Sequence, residues 1–153
     1  MQLAQMLKAD GRWRMIAFAG AGDVGAPDGH LAKLCEHLTE DAESTVARYT
    51  GTGANIDSVI DVRAVFQEAH WTLELEKMPS LLLPRKGQLG LVDYEKIFCP
   101  DLKNGLNIFD QRGIDRHDGA LVILRPDQFV SAVLPLTDFA GISSFFDRFM
   151  IAS

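Results

Sequence analysis

The chain carries only two cysteines in 153 residues, has no basic cluster and lacks a long apolar run, and each shortage removes a class of function. Cys35 and Cys99 stand far apart, so no Cys-x-x-Cys dithiol and no zinc-ligand spacing exists, and no disulfide framework is suggested. The longest apolar stretches, Ala17 to Ala21 and Leu81 to Leu83, fall far short of the roughly 20 residues that a membrane-spanning helix needs. Lys8 and Asp10 interrupt the opening segment where a secretory signal requires an apolar core. No membrane partner is expected, and a cytoplasmic location is. Lys plus Arg number 15 against 21 Asp plus Glu, a net charge of −6. Nucleic acid is therefore disfavoured as a partner, because phosphate binding draws on clustered Lys and Arg. Nor is there a Gly-x-Ser-x-Gly elbow to raise a nucleophilic serine.

What remains is nearly half apolar, enough to bury the core of one domain, expected over residues 1–153. Trp13 to Ala19 is a short apolar run after the Asp10-Gly11 turn signal and reads as a buried central strand. From Pro27 the period changes. Leu31, Leu34, Cys35, Leu38, Ala42, Val46 and Tyr49 recur at three and four residues, the pattern of an amphipathic helix, with Asp28 as its expected N-cap and Gly51 or Gly53 ending it. Ile56 to Phe66 is β-branched and predicts a second strand, parallel to the first through the helical crossover. Residues 67–118 are broken by Pro79, Pro84, Pro100 and scattered glycines, and loops with short elements are expected there. Ala120 to Leu124 and Phe129 to Leu134, joined by Arg125-Pro126-Asp127-Gln128, predict an antiparallel hairpin. Asp138 is placed to cap a last helix carrying Ile142, Phe145, Phe146 and Phe149. In this helix Phe145 and Phe149 are expected to stripe the core with Phe146 to one side; either the whole wide apolar face docks on the sheet, or Phe146, if exposed, marks a partner surface. The order β-α-β, insert, β-β-α is that of an α/β thioredoxin-like fold, a mixed central sheet with helices on both faces, here without the Cys-x-x-Cys.

Gly20-x-Gly22-x-x-Gly25 matches the dinucleotide fingerprint letter for letter, after a predicted strand. The mechanism, however, needs a helix that starts inside the motif, so that its first amides and its dipole meet the pyrophosphate. Pro27-Asp28 delays that start, and the acid required about 20 residues onward would fall within the helix rather than at the end of the next strand, where only Asp61 and Glu68 lie near. A strand-to-helix loop is the expectation, with a stand-alone small-ligand or nucleotide-binding protein using the Gly20–Gly25 loop as the alternative. In thioredoxins this loop holds the reactive dithiol; here it has no cysteine, and Cys35 falls on the apolar face of the helix, where burial makes a thiol inert.

His30 and His37 are two turns apart on one helix, about 10 Å along its axis, too far to share a metal. His70 and His117 fall near loops, Glu40-Asp41-x-Glu43 reads as a solvated helix face, and Asp115-Arg116-His117-Asp118 as a polar turn. No catalytic, cofactor-binding or metal residue is assigned in this chain.

A C-terminal run and an N-terminal lead-in carry a family likeness. Gly113-Ile114-Asp115 is followed by Gly119 through Leu124, then Arg125-Pro126-Asp127-Gln128-Phe129-Val130, then Leu134-Pro135-Leu136; upstream, Ala9-Asp10-Gly11-Arg12-Trp13-Arg14 leads into Ile16 through Gly20. In this order the segments resemble the C-terminal domain of the phenol hydroxylase family of FAD-dependent aromatic monooxygenases, most weakly between Gln67 and Asn107. The resemblance implies a thioredoxin-like domain without a dithiol, engaged in subunit contacts. It implies FAD and NADPH for the parent family only, with no cofactor in this chain. The implied partner is a second copy or a flavoprotein hydroxylase core.

Overall fold

The computed structural model describes residues 11–20, 22–23, 25, 29–39, 45–49, 54, 59–67, 78–83, 85–86, 89, 91–92, 96–98, 117–127 and 130–148. In chain order these contain β1 (Trp13–Phe18), α1 (His30–Thr39), α2 (Thr45–Tyr49), β2 (Ile60–Val65), a single 3-10 turn (Ser80–Leu82), β3 (Arg85–Lys86), β4 (Leu91–Val92), β5 (Ile97–Phe98), β6 (Ala120–Leu124), β7 (Val130–Leu134) and α3 (Phe139–Asp147). The expected helix from Pro27 to Tyr49 is represented by α1 and α2, with residues 40–44 and Asp28 outside the described residues.

A five-stranded mixed sheet runs in the order β5-β2-β1-β6-β7. β1 and β2 are parallel, as expected for a crossover, and β6 lies antiparallel on the other side of β1. β6 and β7 form the predicted hairpin. The short β5, which the broken sequence around it did not reveal, adds to β2 in parallel. β3 and β4 pair separately as a two-stranded sheet.

Register decides the two faces. Met15 lies beside Val62 and Ile123, and Ala17 beside Ala64 and Leu121, so alternate residues of three strands point to one side. On that side they join Leu31, Leu34, Cys35 and Leu38 of α1, Val46 and Tyr49 of α2, and Ile142 and Phe146 of α3 in one core. The described helices thus cover this face. The opposite residues of β1 and β2 are buried as well, including Ile16, Phe18 and Val65, as central strands require.

The final helix corrects one expectation. Phe146 is fully buried and Phe145 only partly so, because α3 begins at Phe139 and its inner stripe runs Ile142 to Phe146 at i, i+4. Trp13 meets both rings edge-on, at 5.8 Å from Phe145 and 5.7 Å from Phe146. Phe146 is therefore an anchor of α3 on β1 and marks no partner surface; Phe149 lies outside the described residues.

Candidate functional site

The strand-to-helix junction after β1 is where this fold offers chemistry, since a helix N-terminus leaves amides unsatisfied and favours negative charge. In this chain the position is already filled by a side chain. Asp23 accepts from the Gly25 amide through Oδ1 at 3.0 Å and from the Leu31 amide, in the first turn of α1, through Oδ2 at 3.0 Å. Both oxygens are engaged, one tightening the loop and the other capping the helix. An incoming phosphate would meet a carboxylate where the fingerprint mechanism needs open amides.

The glycines have structural duties of their own. A Cβ on Gly20 would come within 2.3 Å of the His117 carbonyl oxygen, so this residue permits the loop after β1 to pass against the turn before β6. Gly25 has a φ of 83°, and a Cβ there would press on the Met78 sulfur at 2.6 Å. The letters of the fingerprint are accounted for by close packing and backbone conformation.

The thiol of Cys35 is silent. Cys35 sits one turn into α1, and burial, with a smaller contribution from the Asp23 charge, pushes its pKa up to about 12. A reactive thiolate needs the reverse, a shift downward by cationic or amide neighbours. Cys99 lies outside the described residues, as do Glu40, Asp41, Glu43 and His70. His30 is exposed at the start of α1, while His37 is half-buried and stacks on Phe139 at 4.5 Å. Of the expected polar turn, His117 and Asp118 are exposed, with Nδ1 and Oδ1 2.9 Å apart, and Asp115 and Arg116 lie outside the described residues. Among the described residues, no group of three or more His, Cys, Asp or Glu converges as metal ligands would.

A cluster of buried charges lies on the sheet face away from the described helices. Asp61 of β2 is completely buried; Arg63 Nε donates to its Oδ2 at 2.9 Å, and the Lys96 ammonium donates to Oδ1. Arg14 Nε of β1 lies 3.3 Å and Arg12 Nη2 3.9 Å from the same carboxylate. Burial alone would raise the Asp61 pKa, but Lys96 and then Arg63 outweigh it and hold the carboxyl below its ordinary range. Cations on two adjacent strands and on the residue entering β5 thus share one anion, bracing β1, β2 and β5. Sequence reasoning missed this cluster. Its signal was the alternation Arg12-x-Arg14 and Asp61-x-Arg63, charges at every second position of strands whose other face is apolar.

The model of the phenol hydroxylase C-terminal dimerisation domain family matches residues 1–153. The chain belongs to this family. It is 54% identical over 153 residues to a 3-hydroxybenzoate 4-monooxygenase of Comamonas testosteroni, covering 99% of this chain and 24% of that protein. It is 34% identical over 155 residues to an FAD-dependent monooxygenase of Aspergillus terreus, covering 98% of the chain and 25% of the relative. The chain thus spans about a quarter of the length of these relatives. Among solved structures, the thioredoxin domain of a thiol-disulfide oxidoreductase from Bacteroides vulgatus superposes with a TM-score of 0.54 at 10% identity, covering 99% of this chain and 86% of that one. That likeness shows the fold, which is thioredoxin-like as the element order predicted.

In this chain the dithiol position of the thioredoxin fold is held by a loop in which Asp23 caps the first turn of α1. The alternative of a nucleotide-binding protein built on the Gly20–Gly25 loop is not favoured: the helix cap and the family membership both stand against it. Among the described residues no helix is long and apolar enough to cross a membrane.

Proposed function

We propose that this chain is the noncatalytic dimerisation and accessory domain of a longer FAD- and NADPH-dependent aromatic-compound monooxygenase. It works as one domain over residues 1–153, in the cytoplasm, and its partners are a second copy and the flavoprotein hydroxylase core. The flavin and the nicotinamide belong to that core; this chain contributes assembly.

The observation that carries the reading is the Asp23 cap, seen in a chain that belongs to a dimerisation-domain family. A thioredoxin-like fold does chemistry at this helix end through a depressed thiol pKa, and here the end is neutralised by a fixed carboxylate while the adjoining thiol is buried. The names of the relatives support a flavin-dependent parent, and they are catalysts roughly four times as long as this chain.

Two measurements on the purified chain test the proposal. Titration calorimetry with FAD, NADPH and inorganic phosphate is expected to give no binding at millimolar ligand. Sedimentation equilibrium is expected to show self-association or, with a flavin-binding core from a relative, a mixed complex. A strictly monomeric chain that also ignores the core, or one that binds FAD tightly, overturns it.

A further inference from the structure

β7 is the last strand in the sheet order, and among the described residues its outer edge pairs with nothing. Open edges are ordinarily guarded by charge, proline or a bulge, because a row of unpaired amides and carbonyls invites another strand. Val130-Ser131-Ala132-Val133-Leu134 contains neither charge nor proline. The irregularity in the β6–β7 register lies at its beginning, between the partners of Ile123 and Leu124, and leaves Ala132 to Leu134 in regular pairing. Two β-branched residues are thrust outward: Val130 is 61% and Val133 60% exposed. Val133 lies beside Val122 and Val130 beside Leu124, on the face away from the described helices, since Ala132 and Leu134 pack toward the core.

We propose that two copies of this chain pair antiparallel through β7, about a two-fold axis normal to the sheet, joining two five-stranded sheets into one continuous sheet. This rests on the dimerisation reading above and names the surface that performs it. Charge favours a second copy as the occupant. Each copy carries a net charge of −6, so contact between copies is least opposed where the surface is neutral, and β7 is neutral throughout. Of the flanking charges, Arg125 and Asp127 are spent on each other, at 3.1 Å from Nε and 2.5 Å from Nη2, and Asp138 is spent on capping α3. Symmetry points the same way. Antiparallel pairing of identical strands is self-complementary, and an axis normal to the sheet keeps equivalent faces on the same side. Val130 and Val133 of both copies then adjoin in one apolar strip. A five-residue edge supplies less than the roughly 1,200–2,000 Å² of a standard stable interface. The isolated chain is accordingly expected to dimerise with a dissociation constant on the order of micromolar.

The test compares the wild-type chain with V130K/V133K and with V133T by sedimentation equilibrium, alongside amide hydrogen exchange. Both valines are exposed, so the lysine variant is expected to keep the wild-type circular dichroism and melting temperature while its dimer weakens at least tenfold. V133T is expected to stay near wild type. Exchange at residues 130–134 should slow as wild-type concentration rises through the dissociation constant, and should not respond to concentration in the lysine variant. A V130K/V133K chain that dimerises like wild type, with no concentration-dependent protection in β7, overturns the proposal and leaves dimerisation itself standing. A wild-type chain that is monomeric to near-millimolar concentration overturns both. If that monomer instead binds a relative's flavin-binding core through the same valines, the face belongs to the core and the second-copy assignment is wrong.

Discussion

Asp23 decides the character of the loop after β1, and its cost of removal can be measured. Replacing a capping carboxylate by alanine typically destabilises by about 0.5–2 kcal/mol. Asp23→Ala loses both the Leu31 cap and the bond that tightens the loop at Gly25, so the upper part of that range is expected in urea unfolding, with Asp23→Asn recovering part of it. Cys35 gives a second check at this scale. With its pKa pushed up to about 12, the thiol stays protonated through neutral pH and should react slowly with a disulfide reagent in the native chain, then rapidly in urea. A raised acid pKa adds stability that is complete below the unfolded thiol's value and lost as pH rises toward the native one. Cys35→Ala should therefore flatten the alkaline limb of the stability profile.

Asp61 works in the opposite sense. Its native pKa is depressed, so its contribution is present above the unfolded value, ordinarily 3.8, and disappears as pH falls through the native one. Asp61→Asn leaves Arg14, Arg63 and Lys96 buried without their shared anion, and breaking such a pair from one side costs about 3–5 kcal/mol. Urea unfolding at pH 7 should show that loss, and the gap between wild type and variant should narrow below pH 3.8 as Asp61 protonates.

At the level of elements, α3 is held at its start, at its end and between. Asp138 accepts from the Gly141 amide at 3.0 Å and caps its start, as the sequence predicted. At its end, Asp147 accepts from the Tyr49 hydroxyl at 3.0 Å and from Arg48, tying α3 to α2; Arg48 in turn donates to Tyr49 at 2.7 Å. Between the two ends Phe146 packs beneath Trp13 and Tyr49, with ring centroids 5.7 Å and 6.4 Å apart. Phe146→Ala is expected to cost about 3–5 kcal/mol, the range for deleting a buried aromatic ring. Phe145→Ala should cost clearly less, since that ring is only partly buried. Equal losses at the two positions in chemical denaturation would reverse the inner stripe described for this helix.

For the whole molecule, charge and assembly are linked. Two copies of net charge −6 repel at low ionic strength, where the screening length is about 30 Å at 0.01 M against about 8 Å at 0.15 M. If the contact is an uncharged strand edge, salt should strengthen self-association over that range. An interface built from ion pairs would weaken instead, and sedimentation at the two salt concentrations separates the cases.

Much of the architecture could be read directly. A continuous apolar run located β1, a β-branched run β2, a 3.6-residue apolar period α1, and two short apolar runs joined by a turn the β6–β7 hairpin, because each of these signals is local. β5 escaped because two residues hold no pattern, and only pairing with β2 makes them a strand. The inner stripe of α3 was misassigned because a helix rich in phenylalanine reads alike on several faces; its rotation is set by where Trp13 and Tyr49 leave space. By itself the sequence determined the order of β1, α1, β2, the β6–β7 hairpin and α3, the missing dithiol and the net charge, which follow from composition and local spacing, while the ordered motif residues carried the family likeness. Only the tertiary structure decided that Asp23 closes the helix N-terminus, that Asp61 is shared among cations from neighbouring strands, and that Val130 and Val133 stand exposed on an open edge. Each depends on side chains distant in sequence meeting, or failing to meet, across the sheet, a property of register rather than of local pattern.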